Sequence, residues 1–96
     1  MRGVDLAIYA DVLAGESASL SARAERAQSR LRQAAIEKRA RSHLSEVAVQ
    51  RLEALGLLGS VDEALTRSEL RELEATLDAL EELQAWVEAE LATNAA

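Results

Sequence analysis

The chain has 96 residues, with 17 acidic and 11 basic side chains giving a net charge of −6, and it contains no cysteine, proline or phenylalanine. This length fits one domain. The lack of cysteine excludes disulfides and thiolate metal sites, and the acidic balance runs against general nucleic-acid binding. Leu, Ala, Glu and Arg dominate, and Tyr9 and Trp86 are the only aromatics. Such a composition favours helix and a core of Leu and Ala.

Residues 4–41 read as a long N-terminal helix. Leu6, Ala10, Leu13, Ser17, Leu20, Ala24, Ala27, Leu31 and Ala34 recur in steps of four and three, which lays one apolar, mostly small stripe along one helix face. Asp5 complements the dipole in the first turn. Gly15 costs about 1 kcal/mol relative to Ala, but the rhythm passes through it without a change of phase. One continuous helix is therefore favoured over a break at Gly15. Asp5 and Asp11 interrupt the opening segment too much for a signal-peptide core. No apolar run approaches the ~20 residues of a membrane span, so a cytoplasmic protein without membrane contact is expected.

Residues 23–43 form a basic block. Arg23, Arg26, Arg30, Arg32, Lys38, Arg39 and Arg41 are opposed there by Glu25 and Glu37, seven bases against two acids, or +5. The segment Ser42-His43-Leu44-Ser45-Glu46 punctuates the chain. Ser45 is placed to cap a short helix at 46–55, with Leu44 and Val49 at staple positions. Gly56 suits the left-handed position after that helix, and Leu57 is spaced to meet Leu52 in a Schellman motif. Residues 56–60 are the expected turn. Ser60–Glu63 and Thr66–Glu69 both have the capping-box pattern, and one of them starts the last helix, placed at 61–92.

That last helix has the strongest pattern. Leu70, Leu73, Leu77, Leu80, Gln84, Val87 and Leu91 repeat in steps of three and four, with Glu72, Glu74, Asp78, Glu81, Glu82, Glu88 and Glu90 off the stripe. Ala79, Leu83 and Trp86 widen the apolar face beyond a two-stranded seam, which calls for at least three helices. The expected fold is all-α: an antiparallel helical hairpin or coiled-coil-like bundle, completed as a four-helix-type bundle by dimerisation. A turn near residue 58 sets the basic block against the acidic helix, pairing Arg23, Arg26, Arg30 and Arg39 with Glu74, Glu81 and Glu88. Residues 1–22 then overhang by about 33 Å, exposing an apolar patch of a kind that soluble monomers avoid. A homodimer is accordingly expected, with Leu6, Leu13, Leu20, Leu73, Leu77, Leu80 and Val87 in self-association. Gln84 is a candidate for fixing register. Trp86 is a candidate partner anchor, although the breadth of the apolar face favours placing it in the core.

No catalytic, cofactor or metal site is expected. His43 is the single histidine, with Arg39 and Ala40 where a Glu-x-x-His ligand set needs a carboxylate. The carboxylates of the last helix lie mostly off the core stripe. The serines sit in no G-x-S-x-G elbow, and the glycines form no phosphate loop. The expected function is a non-enzymatic helical interaction or oligomerisation module, a small structural or adaptor protein that binds itself and possibly another helical protein. The alternative is a small nucleic-acid-associated or regulatory protein using the arginine-rich segment 23–43, which lacks aromatic residues for base stacking. A small-ligand-binding or enzymatic bundle comes third.

Overall fold

The computed structural model describes residues 2–95. It is all-α, with helices α1 (Arg2–Arg41), α2 (Glu46–Ala54) and α3 (Glu63–Ala95), and no strand occurs among the described residues. α1 and α3 pack as a helical hairpin.

α1 runs unbroken through Gly15. A Cβ at Gly15 would meet nothing within 4 Å, so this glycine serves no close approach within the chain. Gly15→Ala is expected to stabilise the protein by about 0.5–1 kcal/mol, by raising helix propensity and restricting the unfolded chain. A rise of a few degrees in the melting temperature, followed by circular dichroism, would show it. The helix closes with three bonds of three-residue step, from the Ser42, His43 and Leu44 N–H groups to the carbonyls of Arg39, Ala40 and Arg41. The Ser42 hydroxyl also donates to Arg39 O at 2.7 Å, satisfying an end carbonyl that has no partner inside the helix.

α2 follows its local code closely. Ser45 is extended, and its hydroxyl accepts the Ala48 N–H at 3.2 Å. At the other end Gly56 has φ +74. The Leu57 N–H reaches Leu52 O at 2.9 Å and the Gly56 N–H reaches Glu53 O at 3.0 Å, the two bonds of a Schellman motif. The start of α3 differs from the expectation. Neither Ser60 nor Thr66 caps it. Asp62 does, its Oδ1 accepting the Leu65 N–H at 3.0 Å. An aspartate caps as well as a serine and adds a negative charge at the positive end of the helix dipole. Thr66 is buried, and its hydroxyl donates to Asp62 O at 2.7 Å.

The chain divides into two compact units, one of residues 1–24 and 72–96, the other of residues 25–71. In the first unit, Asp5 and Leu6 lie beside Glu90 and Asn94, and Ala10, Leu13 and Ala14 lie beside Gln84, Val87 and Glu88. As α1 advances α3 recedes, so the pair is antiparallel. A hairpin turning at residue 58 would leave Leu13 without a partner, because its opposite number would fall beyond the end of the chain. Here it lies beside Val87. The connection between the long helices is not the turn 56–60 but the whole stretch holding α2, which moves the centre of the pairing back toward residue 50. The expected apolar overhang of residues 1–22 is accordingly absent, because α3 covers one face of this segment. Buried within the first unit are Leu13, Ala24, Leu73 and Val87, with Leu6, Ala10, Leu20, Leu77, Leu80 and Leu91 half-buried.

The second unit has a core of small residues. Ala27, Ala34 and Leu58 are buried, and α2 itself buries no residue completely. Polar bonds do much of the joining. Glu37, 8% exposed, accepts from Gln33 Nε2 at 3.1 Å and from the Gly59 N–H at 3.3 Å. Arg41 Nη1 donates to Glu53 Oε1 at 2.6 Å. Gly59 has φ +73, and a Cβ there would stand 2.7 Å from Arg41 Nη2. The left-handed backbone favours glycine at this position, whereas the Arg41 guanidinium, at the end of a flexible side chain, could move aside.

Candidate functional site

The residues expected to mediate self-association lie inside the first unit. Leu13, Leu73 and Val87 are buried, and Leu6, Leu20, Leu77 and Leu80 are half-buried along the α1–α3 seam. They are occupied in holding one chain's own helices together. Gln84 also belongs to this seam. It is half-buried beside Ala10, Leu13, Ala14 and Val87, at an open cleft of about 140 Å³.

The expected charge pairing is not formed. Among the described residues the ion pairs are Arg41–Glu53 at 2.6 Å and Arg67–Glu63 at 3.1 Å. Arg23, Arg26, Arg30 and Arg39 are exposed, as are Glu74, Glu81 and Glu88. The register explains why: residues 72–96 belong with 1–24, so the arginines from 26 onward fall in the other unit. Charge is divided sharply between the units. The first holds ten acidic residues against Arg2 and Arg23, or −8, and the second holds seven acidic against nine basic residues, or +2.

Trp86 corrects the expectation of a core tryptophan. It is 54% exposed, next to Val87 at 1%. One residue of helix is a rotation of about 100°, enough to carry a side chain from the seam to the surface. Val4, Ile8, Tyr9 and Val12 on α1 are exposed as well.

Two clefts fix which sides these residues occupy. One brings Asp5 of α1 to Glu90 of α3, and the other brings Ala14 to Glu88. These mark opposite sides of the seam. By helical rotation, Tyr9, Val12 and Glu16 share the side of Asp5, and Leu83 and Trp86 share the side of Glu90. The antiparallel register sets them at the same level along the pair. The first unit therefore presents one broad apolar side, Tyr9 and Val12 on one helix and Leu83 and Trp86 on the other, rimmed by Asp5, Glu16 and Glu90. Tyr9 and Val12 were not among the expected association residues. Their signal was present in the sequence as apolar residues off the main stripe of α1.

Among the described residues no group of three or more His, Asp or Glu side chains is placed to hold a metal ion. No helix is long and apolar enough to cross a membrane. His43 is exposed, just past the end of α1. No family model, no curated protein and no solved structure matches the chain.

Proposed function

We propose that the protein is a non-enzymatic helical interaction module of the cytoplasm, and that the Tyr9–Trp86 side of its first unit is the face it uses. The observation that carries this reading is the exposure of a tryptophan, a tyrosine and a valine together on one side of a two-helix pair. Aromatic residues of this kind supply most binding energy at protein interfaces. A continuous apolar face is the feature that separates an interaction surface from ordinary scattered exposure. Two packed helices also leave a shallow groove between them that suits a third helix.

Site-specific photo-crosslinking tests the reading. A benzophenone side chain at position 12 is expected to give a discrete adduct in cells that make the protein. The same group at position 14, on the opposite side of α1, is expected to give none. The mass of the adduct separates a second copy of the chain from a different protein. No adduct from position 12, or equal adducts from both positions, would contradict the assignment of this face.

One observation favours the nucleic-acid alternative. Arg26, Arg30, Arg32, Lys38 and Arg39 are exposed and form no ion pair among the described residues, as a phosphate-tracking helix requires. The second unit's balance of +2 and the lack of aromatic residues in this segment make it the weaker reading. A mobility shift with DNA or RNA at low salt that disappears at physiological salt would be its signature.

A further inference from the structure

The proposed face has a chemistry that selects among partners. We propose that the Tyr9–Trp86 side of the first unit docks a basic amphipathic helix of another protein. This rests on the reading of that side as an interaction face and adds the class of its occupant.

Charge complementarity carries the argument. Every ionisable residue bordering the apolar side at its own level is acidic: Asp5 and Glu16 on α1, Glu90 on α3. The unit's two bases lie beyond the ends of the face, Arg2 seven residues before Tyr9 and Arg23 eleven residues past Val12, about 10 and 16 Å along the helix, each more than one Debye length away at physiological salt. Asp5 and Glu90 also flank an open cleft of about 300 Å³ with Leu6 in its lining. A lysine or arginine there can lay its apolar stem along Leu6 and place its charged head between two carboxylates.

The same numbers disfavour a second copy of this chain. Joining two such sides face to face would bring together two units of −8 each, and like charge facing like across an interface acts against association. The chain's own basic stretch is a poor occupant for a different reason. Within residues 25–41 Ile36 is the exposed large apolar side chain, a single anchor where a docking helix needs apolar residues at i, i+3 or i+4, and i+7. Such a head-to-tail arrangement would also leave an open interface on each copy and propagate.

The test uses the full chain and its single tryptophan. An 18-residue amphipathic peptide of Leu and Lys, free of aromatic residues, is titrated while Trp86 emission and acrylamide quenching are followed. The counterpart with Glu in place of Lys is the control. The Leu/Lys peptide is expected to shift Trp86 emission to the blue with 1:1 saturation and to shield it from quencher, and the Leu/Glu peptide to do neither. Val12→Glu is expected to weaken the Leu/Lys peptide at least tenfold, with helicity retained because the side chain is exposed. That variant adds a negative charge, so simple electrostatic attraction predicts tighter binding instead. Tyr9→Glu is a second variant with the same expectation. No response to the Leu/Lys peptide, or binding by both variants at least as tight as by the wild type, overturns the proposal. If the Leu/Lys peptide fails while Trp86 is shielded in a self-associated chain, the partner class falls but the interaction face stands.

Discussion

Val87→Asp is expected to abolish cooperative folding of the first unit, whereas Trp86→Asp, one residue away, is expected to leave it folded. Val87 is the most deeply buried side chain, at 1% exposure, and lies beside Leu13. The change removes about 2 kcal/mol of apolar burial and sets a carboxylate in the seam without a partner, which costs several kcal/mol more. The sum, on the order of 5 kcal/mol, is comparable with the whole stability of a small domain. Trp86 stands 54% exposed, so replacing it loses about half of a large side chain's burial, about 1–2 kcal/mol, and leaves the new carboxylate in water. Urea denaturation followed by circular dichroism separates the two. Equal damage from both substitutions would mean that the Trp86 side is covered and that the proposed face is wrong.

The second large effect lies in the connection between α2 and α3. Leu58→Ala is expected to cost about 2–4 kcal/mol, the usual range for truncating a buried leucine. α2 buries none of its residues fully, and Leu58 is the buried large side chain just beyond it. The loss should therefore be local. Hydrogen exchange is expected to show faster opening of α2 amides, with protection of residues 2–24 of α1 unchanged, in keeping with opening by cooperative sub-units. Leu57, 61% exposed, is the matched control, and Leu57→Ala should change little. A uniform loss of protection throughout the chain would show that the connection and the α1–α3 pair unfold as one.

Local structure was legible in the sequence wherever a single residue's chemistry decides it. Ser45 caps α2, Gly56 ends it in the left-handed region, and Leu57 closes the Schellman bond to Leu52. The stripes of α1 and α3 also face each other as their periodicity implies. The register was not legible. Placing the turn near residue 58 sets the arginines of 23–43 against the acids of 73–93, and exposed ion pairs are worth too little to hold that register. What sets the register is whether α2 counts as part of an arm or as part of the connection, and nothing in residues 42–62 alone decides that. The start of α3 is ambiguous in the sequence because the capping patterns that begin at Ser60 and Thr66 lie on either side of Asp62, the residue that caps it. Trp86 was assigned inward because the apolar face of α3 looked wide. A wide face serves equally to cover a partner helix and to present an exposed side, and periodicity does not separate the two.

The interaction face exists only if the chain itself leaves the Trp86 side of its first unit uncovered. Acrylamide quenching of Trp86, read on samples whose molar mass is determined by light scattering, tests it most directly. In the monomeric chain Trp86 is expected to emit as a solvent-exposed indole and to be readily quenched. A monomeric chain with blue-shifted, quencher-protected Trp86 would contradict it, because the chain itself would then cover the face assigned to a partner.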